Sequence, residues 1–178
     1  ANYLRNGVLL LVLMLISINL RPALTSIAPI MERIVADLSL SRASAGLITT
    51  IPVLLMGFLA PVAPLLARRW GQERVLTASM ALLVVAFSIR YFSQYSFTLL
   101  LVSAFIAGMA IAIAGPLMSG LIKQYFARQI TLAITIYSVS ISLGASLAVA
   151  LTIPIIKINS DHWERGLAAW GLLALMAF

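Results

Sequence analysis

Long runs of uncharged, mostly apolar residues alternate along this chain with short charged clusters, and that alternation predicts its elements. The uncharged runs cover 6–31, broken only by Arg21, then 43–67, 75–89, 91–122, 129–156 and 166–178. A helix needs about 20 apolar residues to cross roughly 30 Å of hydrocarbon. The first, second and fifth runs meet that length outright. The fourth opens on the turn-like Phe92-Ser93-Gln94-Tyr95-Ser96 and then offers one crossing, while the third spans only by continuing through Arg90 to Tyr91. The last run holds 13 residues, fewer than a spanning helix needs. The expected elements are six transmembrane helices, at 6–31, 43–67, 75–91, 97–122, 131–154 and 166–178, with the sixth truncated and 1–178 forming one bundle without a soluble domain.

The boundaries carry their own signals. Ile30, Ile34, Leu38 and Leu40, interleaved with Glu32, Arg33 and Asp37, predict that the first helix continues or bends along the interface before Ser41 to Ser44 caps the second. Ser160-Asp161-His162-Trp163 reads as a cap and interfacial anchor ahead of the sixth, and Trp70 sits at a similar boundary. Prolines 22, 29, 52, 61, 64, 116 and 154 fall inside or beside the spans, which predicts bent or broken helices facing a cavity or neighbouring helices.

Composition agrees: 62% of residues are hydrophobic and 10% charged, with a mean hydropathy of +1.09, against roughly 45–50% and 25% in soluble domains. The lipid bilayer is therefore the expected environment. With no cysteine, the chain has no disulfide framework or thiol chemistry. The net charge of +7 would suggest nucleic acid in a soluble protein, but its placement gives another reading. Arg5, Arg68, Arg69, Glu73, Arg74, Lys123 and Arg128 give one side a net +5; Glu32, Arg33, Asp37, Arg42, Lys157, Asp161, Glu164 and Arg165 give the other side zero. The basic side is expected in the cytoplasm, together with the N-terminus, and no nucleic-acid partner is needed. The charge-then-apolar order also fits a signal peptide at Gly7 to Leu20, but uncharged sequence resumes after Arg21 and the topology needs this segment as a helix.

Catalysis is not expected. His162 is the single histidine and lies in a loop, the five carboxylates fall outside the expected spans, and Gly115 to Gly120 lacks the Gly-Lys-Ser/Thr ending of a phosphate loop. No metal or cofactor is implied.

Arg21 stands out. Fourteen residues after Gly7, it lies about 21 Å into the first span at 1.5 Å per residue, past the midplane and short of the exit. An arginine at that depth should face protein, a water-filled cavity or a ligand, so Arg21 is a substrate-binding candidate, with Asn19 and Thr25 adding polarity around the Pro22 kink. Tyr137, whose hydroxyl needs a partner inside an apolar helix, joins them with Ser138. Arg90 lies at a matching depth from Val75, about 22 Å, but polar sequence begins three residues later, so an interfacial, snorkelling role is expected, with a site role as the alternative. Gly108 and Pro116 belong to a row with Ala104 and Ala112, and Ser140, Gly144 and Ala148 form another; small residues four apart predict close helix packing.

These residues, in this order, resemble the amino-terminal half of a major facilitator superfamily transporter, and more specifically the cyanate porter family, which includes the cyanate and 2-nitroimidazole transporters. The pieces are Asn19-Leu20-Arg21-Pro22 with Leu24-Thr25 and Ala28-Pro29, Gly46-Leu47-Ile48-Thr49-Thr50-Ile51-Pro52, Ala67-Arg68-Arg69-Trp70-Gly71-Gln72-Glu73-Arg74, Ile89-Arg90, Gly120-Leu121-Ile122-Lys123 and Tyr137-Ser138. The resemblance implies one six-helix half of a twelve-helix fold with 3+3 inverted repeats, set in a bacterial inner membrane, with the second half missing from this chain. It assigns Arg68, Arg69, Gly71, Glu73 and Arg74 to a gating loop. Four features depart from the superfamily pattern. Arg68 stands where the loop signature has aspartate, leaving Glu73 as the substitute, Ala104 stands where an arginine is often found, the helix-five Gly-Pro motif is missing, and Gly115 replaces an amide. The implied activity is secondary transport of a small polar or anionic organic solute by alternating access. The alternatives are a proton-driven multidrug exporter, or a six-helix channel or structural membrane subunit.

Overall fold

The computed structural model describes residues 2–158 and 162–176, and among these every regular element is helical. The expected cap at Ser160 and Asp161 and the end of the sixth span lie outside the described residues. The first span is a column of three pieces: α1 (Asn2–Leu20), α2 (Pro22–Thr25) and, after a 3-10 turn at Ala28–Ile30, α3 (Met31–Asp37). Ser41 then caps α4 (Arg42–Leu59), its hydroxyl accepting the Ser44 amide at 3.1 Å, as the serine run predicts.

The second span was expected to run unbroken to residue 67. It breaks instead at Ala60-Pro61 and resumes as α5 (Val62–Trp70), because Pro61 brings no amide donor and Pro64 sits where a first helical turn tolerates it. The charged stretch 68–74 is not a loop. Arg68 and Arg69 are the last turn of α5, Glu73 and Arg74 the first turn of α6 (Gln72–Tyr91), and the corner between them is Gly71 alone, at φ +89°. α7 (Phe97–Tyr125), α8 (Ile130–Ile158) and α9 (Trp163–Met176) complete the bundle, with Pro116 and Pro154 carried inside helices. Five segments, Gly7–Asp37, Arg42–Leu59, Gln72–Tyr91, Phe97–Tyr125 and Ile130–Ile158, are long and apolar enough to cross a membrane.

Part of the packing is symmetric. α1 lies against α8 as α7 lies against α4, and α6 and α9 pack on each other, the exchange of partners that two inverted three-helix repeats produce, whereas the extensive α6–α7 contact has no equal between α9 and α1. Glycine sits at both matched crossings. A Cβ on Gly108 would lie 2.7 Å from the Pro52 Cα, and one on Gly144 would collide with the Ile18 carbonyl. The small-residue rows therefore bring backbones together, as their spacing predicts.

One core cluster, with Met80, Leu83, Ala107, Met118, Ala148 and Trp170, fills the middle of the bundle; another, with Ile34, Ile48, Leu100, Trp163 and Leu167, closes the end opposite Gly71. Trp163 is 3% exposed and its indole nitrogen donates to Asp37 Oδ2 at 2.9 Å. It is thus an internal tie between α9 and α3, not the interfacial anchor its charged neighbours suggested, whereas Trp70 is exposed. Large apolar side chains on the outside, including Val53 and Phe58 of α4 and Leu132, Val139 and Leu143 of α8, present the surface that hydrocarbon or another apolar bundle would cover.

Candidate functional site

The site begins with a missing amide. Pro22 cannot donate to Ile18, so α1 ends at Leu20 and the freed Ile18 carbonyl is left facing Gly144, whose lack of a side chain lets α8 approach it. Past the break the chain closes a single tight turn on the Arg21 carbonyl, which accepts the Leu24 amide at 2.9 Å, the Thr25 amide at 3.0 Å and the Thr25 hydroxyl at 3.0 Å. The Arg21 side chain itself is exposed on the bundle surface. Its guanidinium has no hydrogen-bond partner among the described residues. Half-buried Tyr137, on α8, lies within electrostatic reach of it.

Not every expected contributor joins this pair. Asn19 is 2% exposed and its side-chain amide donates to the Leu15 carbonyl at 2.8 Å, so it serves α1 and not the surface around Arg21. Thr25 sits in the turn itself, half-buried, with its hydroxyl already donated. Ser138 is exposed on α8 next to Tyr137, and its carbonyl accepts the Ser142 hydroxyl at 3.0 Å. Gly108 is packed against α4 and has no free surface, and Pro116 is half-buried within α7.

Residues 8–178 match the Major Facilitator Superfamily. The chain belongs to that superfamily. Among curated relatives it is 35% identical over 162 residues to the transporter YycB of Bacillus subtilis (strain 168), covering 91% of this chain and 40% of that protein. To the cyanate transport protein CynX of Escherichia coli (strain K12) it is 34% identical over 169 residues, covering 95% of this chain and 44% of CynX. To the 2-nitroimidazole transporter of the same strain it is 33% identical over 171 residues, covering 96% of this chain and 42% of the relative. The chain thus spans roughly two fifths of the length of these relatives. It is a membrane protein of a transporter family.

In this major facilitator chain the stretch 68–74, expected to be a gating loop, is the corner between two helices at Gly71. Arg68, Arg69 and Arg74 are exposed, with Arg69 6.0 Å from the centre of the Trp70 ring. Glu73, the carboxylate expected to substitute in the arginine cluster, accepts the Tyr125 hydroxyl at 2.6 Å and so ties the start of α6 to the end of α7.

Two features differ from the expectation drawn from charge spacing. Arg90 is 1% exposed and does not snorkel: its Nη2 donates to the Ala23 carbonyl at 2.6 Å and its guanidinium stands 5.3 Å from the centre of the Phe87 ring. The polar residues after it gave the wrong signal, because Ser93 is itself buried, donating to the Arg90 carbonyl at 2.6 Å. The better signal was the depth Arg90 shares with Arg21, together with two prolines that free carbonyls in the first span. Glu164 is the second: it stands outside the expected span, in the first turn of α9, but is only 3% exposed, with Oε1 3.0 Å from His162 Nδ1, so this carboxylate is buried in the bundle's end.

Proposed function

We propose that this chain is the N-terminal six-helix bundle of a secondary transporter that moves a small polar or anionic organic solute, such as cyanate or a nitroimidazole, by alternating access across a bacterial inner membrane. The observation that carries this reading is Arg21: an exposed, unpaired guanidinium at a helix break, at a depth where lipid contact is costly. Such a group calls for an aqueous cavity or a ligand, and the face that bears it is the one a second six-helix bundle would close. Arg21 supplies the positive charge and a planar fork for an anion, Tyr137 a hydroxyl beside it, and Ser138 and Thr25 the polar rim. The names of the relatives CynX and the 2-nitroimidazole transporter point to small, polar solutes of this kind. A cation-exporting reading has less to rest on, since the exposed charge at the break is positive.

The test is uptake of labelled cyanate and 2-nitroimidazole into proteoliposomes containing the protein with both bundles. Saturable accumulation against a gradient is the expected result; an ohmic conductance would indicate a channel, and absence of flux a structural subunit. The same reading places the Gly71 corner in the cytoplasm. Single cysteines introduced at Arg68 or Arg74 of this cysteine-free chain are expected to resist an impermeant thiol reagent added to intact cells, and a cysteine at His162 is expected to label. The reverse pattern would invert the topology.

A further inference from the structure

Arg90 is costly to keep. It is all but fully buried, and its Nε and Nη1 have no hydrogen-bond partner among the described residues. A charge held this way is destabilising compared with a well-packed apolar side chain of similar volume, so the guanidinium is retained for something other than cohesion of the core. Among the described residues its one hydrogen-bond partner is the Ala23 carbonyl, 67 residues away in sequence.

That carbonyl has no helical donor. The ladder of α2 ends with the Ser26 amide donating to Pro22 and the next backbone bond is Ile30 to Ile27, so the Ile27 amide, which a continued helix would give to Ala23, does not reach it. Ala23 is 1% exposed, so its freed carbonyl would be buried and unsatisfied without Arg90. The charged donor is aimed from a fixed base. Ser93 ties down the end of α6 at the Arg90 carbonyl, the Phe87 ring flanks the guanidinium, and Phe87 is itself pinned by α9, where a Cβ on Gly171 would lie 2.9 Å from the Phe87 Cβ.

We propose that Arg90 is a positioning residue: by capping the Ala23 carbonyl it holds the broken segment of the first span in place, and with it the turn from which Arg21 projects. Ala23 lies inside the turn closed on the Arg21 carbonyl, so the peptide that Arg90 grips and the residue proposed to bind substrate belong to one hydrogen-bonded turn. The part of this inference that concerns substrate rests on Arg21 being the binding group; the part that concerns the backbone does not.

The experiment therefore reads both, in the transporter with both bundles reconstituted in lipid nanodiscs. Amide hydrogen exchange over 22–27 is expected to be roughly tenfold faster or more in Arg90→Met, the range set by losing one charge-assisted hydrogen bond. Arg90→Lys, one bond shorter but still a cationic donor, is expected to fall between Arg90→Met and the parent. The KM for labelled cyanate should rise by a similar factor in Arg90→Met, with maximal rate changed by less than about threefold, a split that general loosening of the bundle would not produce. Unchanged exchange over 22–27 in Arg90→Met overturns the proposal. Faster exchange with an unchanged KM upholds the backbone role and instead removes Arg21 from substrate binding. Should Arg90→Met not reach the membrane, Arg90→Gln, too short to reach Ala23 but still polar, is held to the same criterion.

Discussion

Arg21→Ala is expected to abolish uptake while leaving the amount of protein in the membrane unchanged. The guanidinium can give an anionic solute two parallel charge-assisted hydrogen bonds, and losing such contacts costs roughly 1.5–3 kcal/mol each, so affinity should fall by about a hundredfold or more. The bundle itself loses nothing comparable. The side chain is exposed, and the turn at the break is closed by the Arg21 carbonyl, which alanine also provides. Arg21→Lys keeps the charge but not the planar fork, and should transport with a raised KM rather than not at all. Quantifying membrane-embedded protein alongside initial uptake rates separates the two effects; wild-type kinetics in Arg21→Ala would remove this residue from the site.

Gly144→Leu is expected to prevent the bundle from assembling, and Gly144→Ala to lower its stability by about 1–3 kcal/mol, the range for forcing extra atoms into a packed interior. The neighbour at Gly144 is the backbone of Ile18, which cannot swing aside as a flexible side chain can. Relief would require α8 to back away from α1, and that would open the contact behind the break from which Arg21 projects. Gly108→Ala should behave in the same direction, against Pro52 of α4. Gly57 supplies the control, because a Cβ there meets nothing within 4 Å, and Gly57→Ala should leave the melting temperature in detergent unchanged. Equal melting temperatures for Gly144→Ala and Gly57→Ala would show that the α1–α8 crossing is not as close as described.

Arg21 and Arg90 show how much of this protein is legible along the chain. Both arginines lie at similar depth, and depth is a one-dimensional quantity, obtained from residue counts and helix rise. What depth does not contain is azimuth. Arg21 falls on the outside of a broken helix and Arg90 on the inside of an intact one, and the direction of each depends on which neighbours crowd the other faces. Asn19 shows the same limit, since its place two residues from Arg21 says nothing of the Leu15 carbonyl it turns back to.

The sequence by itself determined the solvent, the class and the scaffold. Apolar runs of membrane-spanning length admit little besides helices in lipid, because backbone amides and carbonyls there must bond within their own segment. Pro22 marked the break in the first span, since a missing amide is a local fact, but the break at Pro61 was not told apart from Pro52, Pro116 and Pro154, which sit inside intact helices. Small residues four apart marked where helices could touch, though not which helix each would meet. Only the tertiary structure decided that Gly144 meets the carbonyl freed by Pro22, that Trp163 and Glu164 are buried, and that Arg90 reaches Ala23. Each of these joins residues far apart in the chain, and what makes a buried charge or an orphaned carbonyl tolerable is the partner that packing brings, which no local pattern records.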